Sequence, residues 1–590
     1  MVSLGTRGIG LDTPLAAFSR DSRRAAPSRQ VPRQGMPAII MQASHTAATP
    51  KLPRIAIDFR ELVRRWGAGL LCLLSSAAFA VAAVTPQGPA VPALPETLEE
   101  GLRSPQAEKR RVCVSKLALE GSLPAWRLVL GALRDREPEV ADEAELSLSL
   151  ISEERAWREL IGRNGLQHED EWVRLRCVGA LGRGSLPVDA GVLTRAVDPR
   201  AVELSRVALA MLERIQAAGR LTGDLPATAR TLTRWIDARG PGELRAGALL
   251  ALQRLDFFEA QPRAERALID RDAVVRLAAV LFFARTTEQE GLDIARRMLA
   301  DPDGRVRAAS IDVLRTIDSR ASILALIEHM QSEPRSRLRW EILGWLRARS
   351  GQEHGFDPQP WREWAQTVQG RLVTGADAAR RGPLGQSSVA FAGLTVVSDR
   401  IAFLIDLSGS LWQAKVGDKT RKQIVDEQLR AVLKALPEGT RFNVIPYTGT
   451  PLPWERQLVA STPANITRAI TDFERCHQSG RGNFYDAARL AMEDPEVDTI
   501  CVLTDGVPTG GRRWNMDLMV EVLEEHHRLR RVAIDSVLVD SPRRQRAAWV
   551  RLAERTGGRC IQVETAAPPR DPAPAADKDS PGPKAGRAGT

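Results

Sequence analysis

Two short segments hold the residues best suited to chemistry. In DLSGS, Asp406, Ser408 and Ser410 stand at alternating positions, and in TDGVP, far downstream, Asp505 is followed by a glycine. A carboxylate and two hydroxyls spaced in this way on a tight loop can aim oxygen atoms at a common point, and hard divalent cations take oxygen ligands. Asp505 would complete the set from a second loop, directly or through water. The expected metal ligands are therefore Asp406, Ser408, Ser410 and Asp505, with Mg2+ as the expected ion and Mn2+ or Ca2+ as alternatives. Taken alone, DLSGS also reads as a Ser/Gly turn with a capping acid. The second acid favours the cation.

For those groups to converge, both segments must end strands of one sheet. IAFLID at 401–406 is an apolar run that finishes on Asp406, and TICVLTD finishes on Asp505. FNVIPY, AIDSVLVD and CIQVE are further apolar runs, and amphipathic stretches at 421–435, 464–475, 484–493, 516–530 and 543–556 separate them. Apolar strands alternating with helices predict a mostly parallel sheet covered on both faces. In such sheets ligands gather beyond the carboxyl ends of the strands, where both acids fall.

A D-x-S-x-S motif after an apolar strand, with a later strand ending in DG, resembles the metal-ion-dependent adhesion site of von Willebrand factor type A (vWA) domains. The resemblance implies a Rossmann-like α/β vWA domain over 389–565, in which an open metal position is filled by a partner protein's Asp or Glu. One departure weakens the site. Where the family has a threonine ligand, in a G-T-N-x-x-D-A-L type segment, this chain reads GRGNFYDAARLAM and places Gly482 there. A hydroxyl is missing unless Ser479 or Asn483 replaces it, so the expected metal affinity is lower. Asp486 in the same segment reads as a helix-start residue.

Catalytic machinery is not legible. There is no G-x-S-x-G elbow beside Ser408 and no GxxxxGK[ST] phosphate loop, and His526 and His527 lie in EVLEEHHRLRR, which reads as a solvated helix face. The expectation is a binding protein and not an enzyme.

Upstream, residues 96–350 repeat one pattern: an acidic or proline turn, then apolar or small residues at i, i+3, i+4, i+7 and i+8. Clear copies are DRDAVVRLAAVLFF and DPDGRVRAASIDVL, and weaker ones begin near Lys109, Val140, Val173, Ala201, Leu244 and Leu338. Each stripe needs neighbours to bury it, which implies a stacked helical array, and an Asp opening each copy can cap the helix that follows. In type and period the units resemble HEAT repeats. Such an array either binds another protein along a face or acts as a spacer. The stretch AAGRLTGDLPATARTL, in a longer step between copies, is expected to protrude as a loop or an extra helix. Residues 351–388 read as a cap and linker, with Trp361 and Trp364 as aromatic cap surface and His354 as a turn residue.

The remaining composition places the protein. Of the formal net charge of +10, residues 1–66 carry +7 and the tail 566–590 carries +1, so the folded middle is nearly neutral and gives no footprint for nucleic acid. Residues 1–66 read as a disordered basic extension, or as an upstream stretch before a later true start. The uncharged stretch 67–84, GAGLLCLLSSAAFAVAAV, reads as a signal peptide or a single membrane anchor. Either makes the chain exported, periplasmic or envelope-associated. Six cysteines (72, 113, 177, 476, 501, 560) form no zinc pattern; Cys113, Cys177 and Cys501 suit apolar surroundings, and a Cys476–Cys560 pair is open. The Pro/Ala/Gly-rich tail reads as disordered. The sequence as a whole reads as an all-α HEAT-like solenoid followed by an α/β vWA domain, a scaffold that holds a protein partner through a metal and offers the array as a second surface. The alternative is a regulatory vWA subunit of an AAA-type ATPase machine.

Overall fold

The computed structural model describes residues 97–368, 390–409 and 418–563, with the backbone of 415–416. The basic extension 1–66, the apolar segment 67–84, the linker 371–388, Ser410 and the tail 566–590 lie outside the described residues. No helix among the described residues is long and apolar enough to cross a membrane.

Every copy of the upstream pattern occupies a helix: α1 (Ala107–Glu120), α2 (Pro138–Leu148), α3 (Glu171–Arg183), α4 (Val202–Ala217), α5 (Gly242–Leu255), α6 (Ala273–Phe283), α7 (Gly304–Ile317) and α8 (Ser336–Ser350). Each is followed by a second helix, such as Leu123–Ala132 after α1 or Glu288–Met298 after α6, and each packs on the next of the series. The expected caps are present. Asp170, Asp272 and Asp303 accept the amide N–H two residues on at 2.8, 2.9 and 2.9 Å, satisfying donors that the first helical turn leaves open. An arginine from one repeat also reaches the acidic turn that opens the next: Arg276 bonds Asp301 at 2.6 Å and Arg307 bonds Glu333 at 2.8 Å.

Two expectations for the array are corrected. Residues 217–232 neither protrude nor add an extra helix: Leu221–Thr222 pairs in parallel with Val188–Asp189, and Leu225–Asp237 is the ordinary second helix of its repeat. Asp224 starts that helix by accepting from the Ala227 N–H at 2.8 Å, and Ala229 and Leu232 bury its inner stripe. Trp361 is not cap surface but fully buried, its indole donating to the Gly355 carbonyl at 2.8 Å.

The C-terminal domain is built on β1 (Arg400–Asp406), α9 (Arg421–Ala435), β2 (Arg441–Tyr447), β3 (Val459–Ala460), α10 (Pro463–Glu474), α11 (Phe484–Glu493), β4 (Thr499–Thr504), α12 (Met516–Arg530), β5 (Ala533–Val539), α13 (Arg543–Thr556) and β6 (Cys560–Val563). Its six-stranded sheet has the order β6-β5-β4-β1-β2-β3 and is parallel except for the edge strand β3. Period-two alternation sends Ile401, Phe403 and Ile405 to one face, against Val425, Leu429 and Phe473 of α9 and α10. Ala402 and Leu404 face the other way, toward Phe484, Leu523 and Trp549 of α11, α12 and α13. The expected fold class, a helical array followed by a mostly parallel α/β sheet, is the one the chain adopts.

The aligned helices α2 to α8 turn one side toward this domain, largely toward α12. Arg183 of α3 bonds Glu521 at 2.7 Å, Arg528 bonds Glu213 of α4 at 2.7 Å, Arg530 pairs with Glu243 of α5 at 2.5 Å, and Arg531 bonds Asp312 of α7 at 2.7 Å. Leu529 joins the apolar core of the array itself. Arg337 of α8, almost wholly buried, donates to the Gly557 carbonyl at 2.6 Å beneath the sheet. The two histidines expected on a solvated face therefore lie in an interface. His526 is largely buried beside Arg206 and Glu203, and His527 bonds the Val532 carbonyl through Nδ1. The helix looked solvent-facing because its partners on the array are themselves charged.

Candidate functional site

Strand β1 delivers Asp406 to the carboxyl edge of the sheet, 1% exposed. Its Oδ1 accepts the Ser408 amide N–H at 2.8 Å, which folds the DLS turn back over the strand end, and its Oδ2 accepts the Thr504 hydroxyl at 2.7 Å. Thr504 is the last residue of β4, so this bond ties together the two strand ends that carry the site. Asp505 follows, half-buried, with its carboxylate accepting the Val507 N–H at 3.2 Å. Gly506 adopts a φ of 87°, and a Cβ there would lie 2.4 Å from Ser541 Oγ, which accounts for the glycine of the DG pair. The Gly506 carbonyl accepts the Trp549 indole N–H at 3.0 Å, anchoring the loop on a fully buried ring of α13.

The third loop is the 479–483 segment. Ser408 and Gly480 form a bridge, with the Gly409 N–H donating to the Gly480 carbonyl at 3.1 Å. A Cβ on Gly482 would lie 3.3 Å from both Asp406 carboxylate oxygens, so this glycine faces the acid, at the position where the resemblance to the adhesion motif implies a hydroxyl ligand. The Asn483 side chain is committed elsewhere: its Oδ1 caps α11 at the Asp486 N–H (3.2 Å), and its Nδ2 donates to the Gly449 carbonyl at 3.0 Å and to Asp486 at 2.8 Å. Asp486 is thereby a helix-start residue. Ser479 is exposed, and its Oγ lies 3.8 Å from where a Gly409 Cβ would stand.

Burial pushes the Asp406 carboxyl up to about 6; hydrogen bonds from Thr504 and Ser408 oppose the shift and the Asp505 charge adds to it. Tyr447, which ends β2 opposite Asp406, is fully buried, and its hydroxyl lies beside the Thr504 hydroxyl and the Asp406 carboxylate. Burial, together with the Asp406 charge, raises that phenol well above its usual range. The structure thus brings Asp406, Ser408 and Asp505 to one edge, and Ser410 lies outside the described residues. Thr504 and Tyr447 belong to the same cluster and were not singled out from the sequence, where each reads as a strand-terminal core residue.

The donors fit a hard cation. They are all oxygens, a buried polar hydroxyl lies beside them, and two neighbouring carboxylates carry an unfavourable like-charge interaction that a divalent ion would reverse. Among the described residues no group of three or more His, Cys, Asp and Glu could hold a metal. Cys476 and Cys560 are both free thiols.

A family profile described as HEAT repeats matches residues 260–346. Inter-alpha-trypsin inhibitor heavy chain 4 of Mus musculus is 32% identical over 130 residues, covering 20% of this chain and 13% of the relative. Inter-alpha-trypsin inhibitor heavy chain H2 of Mesocricetus auratus is 30% identical over 165 residues, covering 24% and 17%. The chain thus spans less than a fifth of the length of these curated relatives. Among solved structures, a von Willebrand factor type A protein from Catenulispora acidiphila aligns at 16% identity with a TM-score of 0.24, covering 28% of this chain and 38% of that one. The SpRpn10 VWA domain aligns at 14% identity with a TM-score of 0.22, covering 28% and 88%. The chain thus carries a match to HEAT repeats within its helical array, ahead of a mostly parallel α/β domain.

Proposed function

We propose that this protein is a non-catalytic scaffold whose vWA domain holds a divalent cation through Asp406, Ser408, Ser410 and Asp505 and presents it to a protein partner. The partner's Asp or Glu fills the open position of the ion, so that the cation bridges two proteins. The carrying observation is the meeting of Asp406, Ser408 and Asp505 at adjacent strand ends, with Gly482 facing Asp406. A glycine at that position leaves more of the ion's coordination sphere to water or to the partner.

When bound, the cation supplies positive charge and exchangeable coordination positions. The chain's own residues do the rest. Asp406 is fixed by Thr504 and the Ser408 amide, so little reorganisation accompanies binding. The apolar segment 67–84 supports export, and with it an extracytoplasmic partner.

The test is capture of partners from the envelope of the source organism by the full chain, with and without chelator, beside Asp406→Ala. The reading requires a protein retained by the wild type with Mg2+ and lost both with EDTA and in the variant. Retention that ignores both changes would refute it.

A further inference from the structure

Three consecutive residues of the loop that runs from Asp505 to α12 are gripped by three consecutive repeats. Arg512 lies over the Trp172 ring of α3 at 4.7 Å, and Arg111 of α1 lies over the Trp514 ring at 5.7 Å. Arg513, between them, is 1% exposed and pairs with Glu145 of α2. The Asp142 carboxylate of α2 is fully buried and accepts two main-chain N–H groups through one oxygen, from Trp514 at 2.6 Å and Asn515 at 2.7 Å. Arg176 of α3 bonds Asp142 at 2.5 Å and also donates to the Arg512 carbonyl at 2.8 Å.

The same array helix reaches the second site loop. Glu137, which precedes α2, pairs with Arg481 at 2.5 Å. The two loops are also sewn to each other: the Gly482 N–H donates to Thr509 Oγ1 at 2.7 Å, and the Thr509 and Gly510 N–H groups donate to the Gly482 carbonyl at 3.0 and 3.2 Å. Gly480 in turn bridges to Ser408. A continuous path of hydrogen bonds and ion pairs therefore leads from α2 to each described loop of the site.

We infer that Glu137, Asp142 and Glu145 of the array are positioning residues for the strand-end site, and that the second repeat sets the geometry of the loops carrying Asp505 and Gly482. The inference extends the cation reading in the preceding subsection and rests on it for one of its two readouts. The array is then a fitted support for its own domain, not a detached surface. A partner or force that shifted the second repeat would alter the site without touching it.

The experiment uses the full chain and three variants. Asp142→Asn keeps the shape of the side chain and removes its charge. Glu137→Gln does the same at a partly exposed pair, whose loss is expected to cost little stability. Glu213→Gln is the control: it breaks a buried array–domain pair with Arg528, at the far end of α12 from the site. Amide hydrogen exchange in the metal-free chain is followed at 407–409, 480–483 and 505–515, and Mg2+ affinity is followed by calorimetry. Asp142→Asn is expected to speed exchange in these loops at least tenfold and to weaken Mg2+ by about tenfold, as loss of groups supporting metal ligands does. Glu137→Gln is expected to move both in the same direction by a smaller factor, about threefold, and Glu213→Gln neither. Should Asp142→Asn not fold, Glu137→Gln set against the control decides the matter. Loop exchange unchanged in Asp142→Asn and Glu137→Gln, or changed equally by the control, overturns the inference. A wild type that takes up no Mg2+ refutes the cation reading alone, and the exchange comparison still decides the role of α2.

Discussion

Asp406→Asn should make the metal-free protein more stable, because the wild type carries an ionised carboxylate where burial opposes it. Burial, with Asp505 nearby, raises that carboxyl from its ordinary 3.8 to about 6. At 1.36 kcal/mol per unit, ionising it in the folded chain costs roughly 3 kcal/mol more than in the unfolded chain. The direction follows from proton binding. A raised acid binds its proton more tightly when folded, so stability falls as pH rises from about 3.8 to about 6, and the full deficit is present at pH 7. Asparagine is neutral throughout. Its carbonyl oxygen can accept the Ser408 N–H, but its amide NH2 cannot accept the Thr504 hydroxyl that Asp406 Oδ2 accepts at 2.7 Å, so roughly 1 kcal/mol of hydrogen bonding is lost. About 2 kcal/mol remains, which for a domain of this size corresponds to a rise of about 4–8 °C in melting midpoint. Thermal unfolding by tryptophan fluorescence in EDTA at pH 7 measures it, and repeating the scan toward pH 4 should close the gap. Saturating Mg2+ should raise the wild type alone, since a ligand stabilises the state that binds it. An Asn variant melting at or below the wild type in EDTA at pH 7 would refute the electrostatic argument.

Two further outcomes follow from particular contacts. Arg206 donates to His526 Nε2 at 2.7 Å, so the ring is held neutral, and burial followed by the Arg206 charge lowers it to about 4. The unfolded chain takes up this proton near 6.5 and the folded chain does not, so stability is retained above 6.5 and lost as pH falls toward 4, by about 2 kcal/mol between pH 7 and pH 5. Comparing denaturation midpoints of the wild type and His526→Gln at the two pH values checks it, and an equal drop in both proteins would sink the assignment. Gly482→Thr should tighten Mg2+ about tenfold, since the new Cβ would stand 3.3 Å from both Asp406 oxygens and needs only a shift of a few tenths of an ångström to bring a hydroxyl to the ion. Unchanged affinity by calorimetry would mean that this segment does not face the metal.

Local periodicity carried much of this fold. Helices 421–435, 484–493, 516–530 and 543–556 begin and end where their apolar spacing says, and α10 starts one residue early because Thr462 caps it and Pro463 suits the first turn. The strand-end acids were legible for the same reason: an apolar run that stops on a carboxylate has one place to put it. What was not legible depends on distant pairings. Asp142 and Trp514 are 372 residues apart, and nothing near either one signals the bond. His526 and its neighbours read as solvent-facing because a charged helix packed on charged helices has the same local composition as one packed on water. Thr504 and Tyr447 were hidden by being strand-like, with their polar ends meeting Asp406 only once β1, β2 and β4 lie side by side.

The central claim is tested most directly by titrating Mg2+ into the full chain in a calorimeter, beside Asp406→Ala and Asp505→Ala. A saturable heat with one ion per chain in the wild type, lost in both variants, is the result the site geometry requires. No heat in the wild type, or the same heat in all three proteins, would contradict a cation held at these strand ends.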